Sequence, residues 1–248
     1  MGSDKKLSVL KHLSELRRRL IRCVIAVSIT SIISFIFAKQ IFQILILPTE
    51  GINLVYIEMT EMIGTYMKVS LASGIILAMP YLVYQVIMFV SPALTRKEKK
   101  YVYLILPWIA FMFMGGVIFG YFILIPPATK FLITFGSDIA TPQIKIGNYI
   151  SIVTRLLLAI GCVFEMPVIT TFLARLGIIT PGWLARKRKG AVIFAFILAA
   201  MVTPTIDPIN QCLVAVPLIG LYEVSIWLAR LVQRKESRIV TPVSSPVP

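Results

Sequence analysis

Four carboxylates stand where carboxylates are costly or out of place, and they are where chemistry would begin. Glu165 sits near the middle of an apolar run, 149–174, where an ionised side chain costs on the order of 3 kcal/mol on insertion scales. Pro167 follows two residues later and has no N–H to give the carbonyl of Val163, so side chain and backbone together predict a polar break at that depth. Arg155 lies ten residues earlier on the same run, about 15 Å along a helix and roughly 280° around it. The two cannot pair, and Arg155 is placed to snorkel to the outer interface. Glu15 and Glu98 are odd because bases surround them. Glu15 precedes Arg18 and Arg19 at helical spacing, and Glu98 is flanked by Arg96, Lys97, Lys99 and Lys100. One reading is local charge balance, worth about 0.3 kcal/mol a pair. The other is acceptance of an incoming guanidinium, whose planar fork suits a bidentate pair. Glu223, the fourth, is positioned to pair across a bundle. Thr203, Asn210 and Gln211 form a further polar cluster in apolar surroundings, where such groups seek partners on neighbouring helices.

Other chemistries lack their parts. There is one histidine, His12, outside every apolar run, and three widely spaced cysteines, Cys23, Cys162 and Cys212. No HExxH, CxxC or P-loop pattern occurs, so no metal, haem, nucleotide or other cofactor is expected, and no enzyme. The cysteines read as small buried hydrophobes.

Composition dictates what must position these residues. The 248-residue chain is 58% hydrophobic and only 15% charged, with a mean hydropathy of +0.88. One soluble core could not hide that much apolar surface, which leaves an all-α membrane protein. Six transmembrane helices are predicted, at about 20–38, 63–90, 101–125, 149–174, 190–204 and 209–229. They form one domain over 1–230, with a disordered tail at 231–248. The first span is expected to be retained, because no small-x-small cleavage pattern follows it. The segments 1–22, 91–100, 175–189 and 230–248 hold twenty of the 25 bases and four of the 11 acids. That pattern puts both termini in the cytoplasm. The excess of bases is thus a topology and lipid-surface signal, with no nucleic acid implied. The brevity of the last two spans predicts a locally thinned bilayer.

The motifs converge on a family. His12-Leu13-Ser14-Glu15-Leu16-Arg17-Arg18-Arg19-Leu20 resembles the H-L-x-E-L-R-x-R-L signature of the TatC family, the six-helix receptor subunit of the twin-arginine protein translocase. Phe89-Val90-Ser91-Pro92-Ala93-Leu94 with Glu98 is similar to that family's first cytoplasmic loop. Phe164-Glu165-Met166-Pro167 is similar to its fourth helix, and Gly177–Pro181 to its second cytoplasmic loop. Thr203-Pro204, Asp207, Gln211, Pro217 and Tyr222-Glu223 resemble its last hairpin, with Thr205-Ile206 lengthening the usual spacing at the tip. The likeness covers about residues 9–230.

The resemblance implies a curved, concave wall of six helices. It implies that Glu15 and Glu98 receive the two arginines of a signal peptide, with Leu16, Arg17 and Pro92 beside them. It implies single-span partners of the TatA and TatB type docking near Thr203 and Gln211, and leaves homo-oligomerisation open. Transport of folded proteins would draw on the proton-motive force. The competing reading is a proton- or ion-coupled small-solute transporter using Glu165 and Arg155, which predicts internal repeats that the sequence does not display.

Overall fold

The computed structural model describes residues 2–49, 54–90, 96–134, 143–203 and 208–240, with side chains described over 12–49, 54–89, 105–131, 134, 143–203 and 208–233. Its helices are α1 (Gly2–Ile36), α2 (Ala38–Ile46), α3 (Glu61–Val90), α4 (Arg96–Phe119), α5 (Ile125–Thr134), α6 (Ile146–Phe164), α7 (Met166–Arg175), α8 (Pro181–Arg186), α9 (Arg188–Val202) and α10 (Pro208–Val240). The fold is all-α: among the described residues the extended backbone pairs only at a single bridge, Val55 to Lys145.

Two long rods carry a local break, each at proline. Pro126 and Pro127 cannot donate to the carbonyls of Phe122 and Ile123, and the ladder widens to a π-turn over Gly120–Leu124, between α4 and α5. Pro167 likewise stands two residues beyond Glu165, where α6 ends and α7 begins.

Five rods are long and apolar enough to cross a bilayer: His12–Ile36, Glu61–Phe89, Ile105–Phe131, Ile146–Arg175 and Pro208–Gln233. The remaining long helix, α9, has 15 residues, a length of about 22 Å at 1.5 Å per residue. Apolar side chains point outward. Ile21, Val24, Ile25, Ile29 and Ile32 of α1 are all exposed, a surface stable only in hydrocarbon.

The helices form an open row. Helix α1 lies along α3, α3 against α6, α4 against α6, α7 against α10 and α10 against α9. Among the described residues no extensive contact closes α1 onto α9 or α10. The main core gathers on α6, where Ile150, Val153 and Ile160 meet Leu124, Ala199 and Val214.

The α1–α3 crossing depends on Gly74. A side-chain carbon there would stand 2.6 Å from Ser31 Cα, and Thr30 Oγ1 donates to the Gly74 carbonyl at 2.8 Å. Overpacking of this kind costs about 1–3 kcal/mol. Gly74→Val is therefore expected to lower the thermal midpoint in detergent by about 3–10 °C. An unchanged midpoint would mean that the crossing is loose.

Three expectations need correction. The last helix continues to Val240, eleven residues past the predicted end at 229 and into the expected disordered tail, because Gln233, Arg234, Lys235, Glu236 and Arg238 are good helix formers; residues 241–248 lie outside the described part. With 33 residues α10 is not short, so thinning by both final helices is not supported. Glu223 does pair across the bundle, as its position predicts, with Arg188 at 2.7 Å. The free cysteines are not buried: Cys162 and Cys212 are exposed and Cys23 is half-buried.

Candidate functional site

Antiparallel packing of α1 on α3 brings the start of one helix beside the end of the other. His12 stacks on Phe89 with ring centroids 4.3 Å apart. One turn along α1, Glu15 Oε1 accepts from Arg19 Nη2 at 2.6 Å and from Arg19 Nε at 3.0 Å. Arg19 Nη1 donates to Gln85 Oε1 of α3 at 3.1 Å. Leu16 and Arg17 are exposed beside this pair. Pro92 lies outside the described residues, and of Glu98 only its place in the first turn of α4 is described. Five residues separate α3 from α4 and reach at most about 20 Å. Both carboxylates therefore belong to helix ends gathered at one basic end of the bundle.

Glu165 occupies the break between α6 and α7. Its backbone carbonyl accepts from Ile169 at 2.9 Å, but the side chain is 1% exposed and neither carboxylate oxygen has a hydrogen-bond partner. The sequence leads one to expect this side chain in the open concavity. Instead it is enclosed among packed helices, with the backbone of Phe113 in α4 close by. Close helix contact explains the enclosure: a carbon on Gly116 would stand 3.0 Å from Gly161 Cα. An apolar cavity of about 700 Å³ does open on the neighbouring side, lined by Cys162, Met166, Phe194 and Leu218, without Glu165. Arg155 is exposed, one turn from Ser151, which accepts from Lys68 Nζ at 3.0 Å.

Gln211 ties α10 to α9, and Thr203 bonds back onto the end of α9. Thr203 Oγ1 donates to the Ala199 carbonyl at 2.8 Å and is buried; Gln211 Nε2 donates to the Phe196 carbonyl at 3.0 Å. The hairpin tip, 204–207, lies outside the described residues. At the other end of the hairpin Arg188 and Glu223 form a two-armed pair, Nε to Oε1 and Nη2 to Oε2, each at 2.7 Å.

Residues 11–217 match the model of the family described as Sec-independent protein translocase protein (TatC). The chain belongs to the TatC family. A TatC protein of Carboxydothermus hydrogenoformans is 41% identical over 94% of this chain and 97% of its own length. One of Aquifex aeolicus is 41% identical over 92% and 97% respectively. A solved structure, described as the twin-arginine translocase receptor TatC, superposes with a TM-score of 0.81 at 41% identity, over 90% of this chain and 100% of that one. With these bacterial relatives and its apolar rods, the chain is an integral, multi-pass inner-membrane protein and a subunit of a protein translocase.

Two positions escape a reading of the TatC-like motifs. Gln85 is 4% exposed and anchors Arg19; its signal is a single amide in the long apolar run 69–90. Glu61 is the other. Its Oε1 accepts from Gly147 N at 3.0 Å and its Oε2 from Ile57 N at 3.0 Å, tying the segment before α3 to the start of α6. Glu61→Ala frees both amides, each worth about 1 kcal/mol or more to a charged acceptor. Faster amide exchange at Ile57 and Gly147 is expected, and unchanged exchange would remove Glu61 from this role.

Proposed function

We propose that this chain is the receptor for twin-arginine signal peptides and the core subunit of a translocase for folded proteins, driven by the proton-motive force. The observation carrying this reading is Glu15, a carboxylate on an exposed helix face one turn from the His12–Phe89 stack, at the end of the bundle where α4 brings in Glu98. Leu16, Arg17 and Pro92 flank it. Two carboxylates at one basic end form a receptor for two guanidinium groups, since each accepts a planar pair of N–H donors. The TatC relatives and the receptor structure support the same reading.

Six spans with both termini in the cytoplasm follow from the twenty bases on alternate segments. This puts the Glu15 end where a cytoplasmic signal peptide arrives. Partners of the TatA and TatB type dock on α9 and α10, whose outward Ile193, Ile197, Met201 and Val216 are exposed. Gln211 ties those two helices together, and Thr203 bonds back onto the end of α9. The subunit moves cargo and catalyses no bond change. A small-solute pathway joining Arg155 to Glu165 is not favoured, because one side chain faces outward and the other is enclosed.

A photoreactive group placed next to the arginine pair of a signal peptide tests the reading. Labelling is expected within residues 12–19 and 91–100 of the intact protein in membranes. Labelling confined to α9 and α10, or none above a Lys-Lys control, overturns it.

A further inference from the structure

Glu15 already holds a guanidinium. Two N–H groups of Arg19 converge on Oε1, at 2.6 and 3.0 Å, while Oε2 has no partner among the described residues. An ordinary pair four residues apart on a helix frays easily. This one is held from a third side: Arg19 Nη1 reaches 3.1 Å to Oε1 of Gln85, a side chain 4% exposed within α3. The Arg19 side chain is itself only 16% exposed, against 32% for Glu15. The carboxylate is thus neutralised by a group of the same kind as those it is to receive.

We propose that Arg19 is an internal occupant of the twin-arginine site and sets, by exchange, the affinity threshold that an arriving peptide must clear. The proposal rests on the receptor reading of Glu15. An arriving arginine takes over the two N–H contacts on Oε1, and Arg19 turns aside while keeping its Nη1 bond to Gln85. One planar fork replaces another, so little is lost in the exchange. An arriving lysine brings a compact, strongly hydrated ammonium that does not reproduce the fork. It must displace Arg19 for a poorer contact, and the exchange runs uphill. Displacing Arg19 costs the same whatever arrives, so Arg19 lowers the affinity of every basic peptide by one factor, and the poorer lysine contact falls below the threshold first. The surrounding bases, Arg17, Arg18 and Arg22, are exposed and repel basic peptides without occupying the Glu15 contact.

The test measures binding of Arg-Arg and Lys-Lys signal peptides to full-length protein in lipid nanodiscs. Arg19→Gln removes the occupant, and the affinities for the Lys-Lys and Arg-Arg peptides are expected to rise by the same factor, about threefold to tenfold, from freeing a charge-assisted acceptor. Arg19→Lys keeps the charge and the fold but holds Glu15 through one nitrogen, so both affinities are expected between wild type and Arg19→Gln. Arg19→Lys matching wild type, unchanged affinity for both peptides in Arg19→Gln, or weaker Arg-Arg binding in Arg19→Gln each overturns the exchange. Glu15→Gln separates the two ideas. Lost binding there with no effect of Arg19→Gln ends the exchange alone, whereas unchanged binding in Glu15→Gln ends the receptor reading and the exchange with it.

Discussion

Glu98→Lys is expected to abolish binding of a twin-arginine peptide to the purified protein, and Glu15→Ala to weaken it by at least about 30-fold. Truncating one partner of a close, hydrogen-bonded charge pair costs about 2–5 kcal/mol, which corresponds to about 30-fold to several thousandfold in Kd. Glu15 is partly exposed and shares Oε1 with Arg19, so it belongs at the lower end of that range. Glu98→Lys goes further, because a fifth base joins Arg96, Lys97, Lys99 and Lys100 and repels the incoming arginines. Glu15 sits outside the core clusters and Glu98 stands among bases in the first turn of α4, so insertion and thermal midpoint should stay near wild type. Isothermal titration with a signal peptide checks this. Wild-type affinity in both variants, with the fold intact, would remove these carboxylates from the receptor.

The second large effect is a split between stability and transport at Glu165. Its two oxygens are buried without a hydrogen bond, a condition that costs about 1–3 kcal/mol per unsatisfied group. Glu165→Met replaces the carboxyl by an unbranched apolar side chain that adapts to irregular gaps. Thermal stability is expected to rise, by about 2–8 °C for a chain of this size, while transport falls. A costly group retained at the break between α6 and α7 is explained by use rather than by packing. Glu165→Gln keeps size and hydrogen-bonding capacity and should retain more transport than Glu165→Ala. Two measurements check this, the thermal midpoint in detergent and cargo uptake by inverted vesicles. A lower midpoint in Glu165→Met would show that the carboxyl holds the fold together. Equal loss of transport in the Gln and Ala variants, with peptide binding intact, would place the requirement on charge instead of hydrogen bonding.

The rods, their order and the break beside Pro167 were legible because each follows from local chemistry: runs of apolar residues, and prolines without an N–H. Placement of bases on alternate segments made the basic end legible in the same way, and with it the peculiarity of Glu15. Tertiary geometry was not. A period of 3.6 residues places Glu165 on one face of its helix, but Gly116 and Gly161 determine that α4 comes close enough to enclose it. The Arg19–Gln85 bond spans 66 positions, and no local spacing announces it. The partner of Glu223 is Arg188, thirty-five residues away. In each case the missing information was which helix lies alongside.

A double-mutant cycle between the receptor and its peptide addresses the twin-arginine site most directly. Each peptide arginine is replaced in turn by Gln, each of Glu15 and Glu98 by Gln, and binding is measured for all combinations at fixed salt. Coupling of at least about 1.5 kcal/mol, the lower bound seen for close charge pairs, is predicted between one arginine and Glu15 and between the other and Glu98. Coupling near zero for every combination, with each variant folded, would contradict direct contact between these carboxylates and the twin arginines.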